Sequence, residues 1–182
     1  MLKTIITALW GVLMMATVAQ AASPENTLYM DLKTGRVMIE MRPDLAPRHV
    51  ARIKELVREK FYDGVVFHRV IDGFMAQTGD PTGTGMGGSG QQLKAEFNDA
   101  PHQRGVLSMA RAFDVDSADS QFFVMLADTP SLDGQYTVWG QVMSGMEHVD
   151  AITKGDSADN GKVENPDKIL KMWIASDYAQ PQ

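Results

Sequence analysis

From Thr27 onward the apolar residues come in short runs broken by turn residues, and this spacing limits the fold more than any other feature of the chain. Thr27–Leu32 and Arg36–Met41 are strand-like and joined by Lys33-Thr34-Gly35, which predicts a hairpin. Further runs follow at Val65–Val70, Phe74–Thr78, Val106–Ala110, Phe122–Leu126, Val138–Val142 and Ile169–Ala175. Only two stretches read as helix. Pro47 opens the first, with Val50, Ile53, Leu56 and Val57 on one face and Arg52, Lys54, Arg58 and Glu59 outside; the second fits Met146–Ile152. Strands at this frequency with Gly-rich turns point to a closed antiparallel barrel or a sandwich. The count is eight strands and two helices. A chain of 182 residues without repeat, low-complexity tract or linker predicts one domain over residues 22–182.

Residues 1–21 read differently. Lys3 and the terminal amine give a positive start, and Ile5 to Val18 form 14 residues without charge, shorter than the roughly 20 that span a bilayer. Ala19-Gln20-Ala21 then places small residues where a signal peptidase reads them. An N-terminal anchor helix is the alternative. The expectation is a cleavable signal peptide and export without stable membrane insertion. Absence of Cys suits an oxidising compartment, and it removes thiolate chemistry, Cys-based zinc sites and disulfides from consideration. A net charge of -6 with no basic run argues against a nucleic-acid partner.

Several motifs fail on context. Gly83-Thr84-Gly85-Met86-Gly87-Gly88 has the letters of a dinucleotide fingerprint, but Gln91 to Glu96 offers no apolar helix face to follow it. A flexible loop beside a site is the better reading. Asp156, Asn160, Gly161 and Asp167 partly echo a calcium loop, yet Ala158 sits where a ligand is needed, so a solvated turn is expected. Asp114, Asp116 and Asp119 read as another solvated loop. His49, His68, His102 and His148 lack close metal-ligand spacing, and no Ser sits in a nucleophile elbow. No metal and no cofactor are expected.

The most informative run is Phe67-His68-Arg69-Val70-Ile71-Asp72-Gly73-Phe74-Met75-Ala76-Gln77-Thr78-Gly79-Asp80-Pro81. If Val65–Val70 is a strand, alternation puts Arg69 on the face of Phe67, opposite His68 and Val70. A strand from Phe74 places Phe74, Ala76 and Thr78 on one face, and Met75 and Gln77 on the other. Taken singly, each Phe or Met is more often core than site, and an isolated Arg is usually a surface charge. Leu107-Ser108-Met109-Ala110, Ser120-Gln121-Phe122-Phe123 and Leu132-Asp133-Gly134 complete the pattern.

These stretches, in this order and spacing from about Thr27 to Ala175, resemble the cyclophilins, the bacterial type in particular. The resemblance implies an eight-stranded antiparallel closed barrel capped by two helices, a packed interior and a substrate groove on the outside. It implies a peptidyl-prolyl cis-trans isomerase acting on proline-containing, unfolded or partly folded polypeptides. Arg69 matches the catalytic arginine. Phe74, Met75, Phe123 and Leu132 match the proline pocket, Gln77 and Gln121 the groups that align substrate, and the main chain at Ala110 and Arg111 the segment that holds the peptide backbone. Three positions depart from the best-known eukaryotic pattern: Ser131 where tryptophan is common, Tyr136 where histidine is common and Arg111 where asparagine is common. The missing tryptophan implies weak cyclosporin binding, and the other two alter the groove wall. With the leader, the expectation is a monomeric periplasmic isomerase. A proline-peptide holdase using the same groove and a lipocalin-type barrel are the competing readings. Intact Arg69 favours the enzyme, and an open apolar interior would be needed for the lipocalin.

Overall fold

The computed structural model describes residues 23–178, so the leader expected at residues 1–21 lies outside the described residues. Ten regular elements follow in order. They are β1 (Thr27–Leu32), β2 (Gly35–Met41), α1 (Pro47–Arg58), β3 (Arg69–Ile71), β4 (Met75–Thr78), β5 (Val106–Met109), β6 (Phe122–Met125), β7 (Val138–Ser144), α2 (Met146–Asp150) and β8 (Lys171–Ile174). The strands form one antiparallel sheet in the order β3-β4-β6-β5-β7-β2-β1-β8.

Strand alternation sets the inside. Leu28, Met30 and Leu32 of β1 and Val37, Ile39 and Met41 of β2 are buried, as a period of two requires. Trp139, Phe122 and Tyr62 fill the centre edge to face, with Phe122 5.4 Å from Trp139 and 5.5 Å from Tyr62 between ring centroids. The Tyr62 hydroxyl donates to Ser120 O at 3.0 Å, so the buried phenol is satisfied. The interior is packed, which leaves no room for a lipocalin-type ligand. Helix α1 covers one opening with Val50, Ile53, Leu56 and Val57, the face its spacing predicts. Its first free amides, at Arg48 and His49, donate to the Glu96 carboxylate at 3.1 and 3.0 Å.

The sheet curls without closing, which corrects the closed barrel. Strands β3 and β8 are its two edges, and among the described residues the gap is bridged in place of a ladder by the single pairs Val66↔Lys168 and Arg69↔Lys162. A ladder there would need a second strand along residues 153–168. That segment carries Gly155, Gly161 and Pro166 instead, and a proline has no N–H to give. The same gap shortens the strand expected at Val65–Val70 to Arg69–Ile71. Before it, the chain is bonded piecewise: Phe67 N to Asp167 O at 2.9 Å, Val163 N to His68 O at 3.1 Å and Val70 N to Gly161 O at 2.7 Å. Strict alternation therefore fails. Phe67 and Val70 both enter the core, while His68 and Arg69 both turn to the outer groove. In β4, Ala76 and Thr78 point inward as expected, and Phe74 just ahead of the strand joins Met75 and Gln77 on the outer side.

Candidate functional site

The outer face of β4, β5 and β6 carries a second, smaller apolar cluster. Met75, Val106, Phe123, Met125 and Val138 are buried there, and Phe74, Ala110, Leu132 and Tyr136 pack around them. This cluster floors an open groove of about 490 Å³. Arg69, Phe74, Met75, Gln77, Ala110, Arg111, Phe123, Leu132 and Tyr136 all line it, so nine of the ten residues singled out by sequence meet in one place. The tenth, Gln121, lies in an adjoining pocket that shares Gln77, Ala110 and Arg111.

The polar side of the groove is a directed chain of hydrogen bonds. Gln121 Nε2 donates to the carbonyls of Gly85 and Gly87 at 3.0 and 2.8 Å, which fixes how its amide faces. Its Oε1 then accepts from Gln77 Nε2 at 2.9 Å, leaving Gln77 Oε1 to accept from Arg69 Nη1 at 3.1 Å. Burial pushes the Arg69 pKa down from its usual value, an effect Tyr136 partly offsets, and a guanidinium stays protonated in any protein setting. The arginine is thus a charged donor held at the edge of an apolar pocket.

The loop that supplies the two carbonyls is tied from beneath. The buried Asp80 carboxylate accepts the N–H groups of Thr82, Gly85 and Gly87 at 2.7, 2.6 and 3.1 Å and the Thr82 hydroxyl at 2.8 Å. Although burial opposes its ionisation, these donors hold its pKa at about 2. Gly87 is required, because a Cβ there would collide with Asp80 Oδ1. The Gly83–Gly88 stretch lies beside the site as expected, pinned by these bonds, and no helix follows it before β5. Nor are the acidic residues nearby merely solvated: Asp119 accepts from Gly90 N at 2.8 Å and Asp116 from Ala95 N at 2.9 Å.

Two of the unusual positions act as a pair. The Arg111 guanidinium lies 4.8 Å from the Tyr136 ring centroid, and its donors go to Gln135 O, Ala112 O and Phe113 O. Together they close one wall of the groove, while Ser131 stands exposed on the rim next to Leu132. Beneath that wall, His102 pairs through Nδ1 with Asp133 Oδ1 at 3.0 Å and through Nε2 with Ser108 Oγ at 3.1 Å. That connectivity has the look of a hydrolase triad. Ser108 is fully buried, however, and no substrate reaches its hydroxyl. The arrangement is a brace: it ties the Leu132-Asp133 turn to β5, and the His102 ring stacks at 6.3 Å on Phe123. Among the described residues, no group of three or more His, Asp or Glu side chains could hold a metal.

Sequence reasoning missed three contributors: Asp80, His102 and Asn160, which accepts from Arg69. Asp80 lies within the signature stretch but has no partner visible along the chain. His102 carries no signal in the sequence beyond the absence of metal-ligand spacing, and Asn160 reads as part of a solvated turn.

The family model for cyclophilin type peptidyl-prolyl cis-trans isomerase/CLD matches residues 27–174, nearly all of the described chain. The chain belongs to that family. It is a cyclophilin-type peptidyl-prolyl cis-trans isomerase. Among curated proteins, the Brucella suis "Probable peptidyl-prolyl cis-trans isomerase" is 55% identical over 171 residues, covering 87% of each chain. Peptidyl-prolyl cis-trans isomerase B of Bacillus subtilis is 43% identical over 142 residues, 76% of this chain and 99% of its own. Among solved structures, a cyclophilin of Hirschia baltica superposes with a TM-score of 0.79 at 29% identity, covering 88% of this chain and 77% of its own. A Cryptosporidium parvum cyclophilin type isomerase, solved in the presence of the dipeptide Ala-Pro, gives 0.74 at 28% identity, covering 81% of this chain and 98% of its own.

Proposed function

We propose that this cyclophilin is exported by residues 1–21, acts as a periplasmic monomer and isomerises X–Pro bonds in exported polypeptides while they fold, with Arg69 as its catalytic residue. The observation that carries the mechanism is a fixed guanidinium beside an apolar pocket. Slow X–Pro isomerisation takes tens to hundreds of seconds uncatalysed and can limit folding.

The chemistry follows from the amide. Rotation about the C–N bond loses resonance, with a barrier of about 18–20 kcal/mol. In the twisted state the proline nitrogen becomes pyramidal and regains a lone pair. An Arg69 N–H aimed at that nitrogen binds the twisted state better than either planar one, and only such differential binding accelerates the step. A charge-assisted hydrogen bond supplies about 1.5–3 kcal/mol. An acceleration of about 10⁵ needs roughly 7 kcal/mol, so Arg69 does not act alone. The remainder is assigned to seating: the proline ring on Phe74, Met75, Phe123 and Leu132, and the flanking main chain along Gln77, Ala110 and Arg111. No nucleophile is consumed at any step.

The test is isomerisation of a short X–Pro peptide by residues 22–182 beside Arg69→Ala. Activity in the first and a loss of about 10²-fold, roughly 2.7 kcal/mol, in a folded second are expected. Activity should be flat from about pH 6 to 9, since the arginine does not titrate there. Equal activity in the two proteins would discard the role given to Arg69. Export is read separately: the protein recovered from the periplasmic fraction should begin at Ala22, and full-length chain retained in the cytoplasm would refute the leader.

A further inference from the structure

Arg69 is held from a loop 91 residues away in sequence. Its Nε donates to the main-chain O of Asn160 at 3.0 Å, and its Nη2 donates to the side-chain Oδ1 of the same residue at 2.9 Å. One residue thus grips one edge of the guanidinium with two oxygens, while Gln77 Oε1 takes Nη1 at 3.1 Å. Of the five N–H groups on an arginine, one on each terminal nitrogen is left for substrate.

Turning both oxygens toward the same partner depends on the backbone of Asn160. It lies in the left-handed region at φ 52 and ψ 30, and it is one of two non-glycine residues with positive φ among those described. Asparagine tolerates that conformation better than most residues. The loop has little freedom to swing away. Gly161 N–H donates to Asp156 O at 2.7 Å, Val70 N–H to Gly161 O at 2.7 Å and Gly155 N–H to Val70 O at 2.9 Å. Gly161 sits so close to Ile71 that a Cβ there would collide with its side chain. The loop is seated on the very strand that begins with Arg69.

We infer that Asn160 is a positioning residue for the isomerisation: it fixes the plane of the Arg69 guanidinium and therefore the direction of the N–H groups left for the twisted proline nitrogen. The inference rests on the reading of Arg69 as the catalytic residue. Without this grip the arginine would lose rotamer freedom on reaching the transition state, and the penalty would fall on that state alone. The effect belongs in kcat, because the apolar pocket that governs ground-state binding is untouched.

Asn160→Gly permits the left-handed backbone, keeps the main-chain oxygen and removes the side chain that carries Oδ1. Asn160→Asp restores an acceptor at that place. Expected are a tenfold fall in kcat for Asn160→Gly, about 1.4 kcal/mol, with KM within about twofold, and recovery to within about threefold of the parent in Asn160→Asp. In ¹⁵N spectra of the substrate-free protein, the Arg69 Nη2 signal should be resolved and slow to rotate in the parent, and averaged in Asn160→Gly. Undiminished kcat in Asn160→Gly, a loss confined to KM, or equal losses in the two variants would each overturn the inference. Arg69→Ala run in parallel separates the two readings. If it is inactive while Asn160→Gly is intact, Asn160 alone loses its role; if it is fully active, the assignment of Arg69 itself falls.

Discussion

Replacing Asp80 by Asn tests whether one buried carboxylate holds the polar side of the groove. Asp80 is fully buried and accepts three main-chain N–H groups and one hydroxyl, all within 3.1 Å. An amide has one oxygen to offer and turns an NH₂ toward donors. The depressed pKa sets the magnitude. Folding moves it from 3.8 to about 2, and each pKa unit corresponds to about 1.4 kcal/mol, so ionised Asp80 contributes about 2 kcal/mol. The sign is that of a depressed acid. The contribution is complete well above pH 4 and is lost as the pH falls toward 2. Urea unfolding followed by tryptophan fluorescence should therefore show Asp80→Asn less stable by about 2 kcal/mol or more at pH 7. At pH 3, between the two pKa values, the gap to the parent should have narrowed by about 1 kcal/mol. The same variant frees the Gly85 and Gly87 carbonyls that orient Gln121, so kcat/KM should fall as well, by about 10-fold. A gap that stays constant from pH 7 to pH 3 would refute the electrostatic argument. Unchanged kcat/KM in the folded variant would show that the relay from Gly85 to Arg69 needs no anchor.

The end of helix α1 is held in a comparable way from outside the helix. Burial opposes ionisation of Glu96, but hydrogen bonds from His49 and Arg48 hold its pKa at about 2 against 4.5 unfolded, so Glu96→Gln should lose about 3 kcal/mol at pH 7 and progressively less as the pH falls from 5 toward 2, read by urea unfolding. Activity on a short X–Pro peptide should survive, because Glu96 lies outside the groove; a large loss would show that α1 and the site are coupled. Ser131→Trp restores a large ring and an N–H donor beside Leu132 and should tighten cyclosporin binding at least tenfold by calorimetry, about 1.4 kcal/mol, whereas tight binding by the parent chain would overturn the reading of Ser131.

How much of this was legible along the chain depended on the kind of signal. Leu28, Met30 and Leu32 alternate, and Val50, Ile53, Leu56 and Val57 follow a helical period, because burial imposes those periods wherever one face meets a core. The strands and helices could be read for that reason. Where burial stopped being one-sided, the period stopped informing. At Phe67-His68-Arg69-Val70 the partner segment supplies isolated bonds from Asp167, Val163 and Gly161, and two successive residues turn outward. Closure of the barrel failed at the same place and for the same reason, since Pro166 and the Asp156–Gly161 turn occupy the position of the missing strand. The groove was found through its motif, which names the residues that touch substrate. The residues that hold those residues follow no period. Asn160 reaches Arg69 only because a left-handed backbone and a glycine let its loop lie flush on β3. Asp80 grips the loop after it by main-chain amides, which any sequence possesses, and His102 braces Asp133 across 31 residues. Such contacts depend on where loops come to rest after the core has formed, so they are specified by the whole fold and by no local stretch of it. Pocket residues can be read from a sequence long before the shell that aims them. Variants at Asp80, His102 and Asn160 therefore report on the aiming, while variants at Phe74, Phe123 and Leu132 report on the pocket.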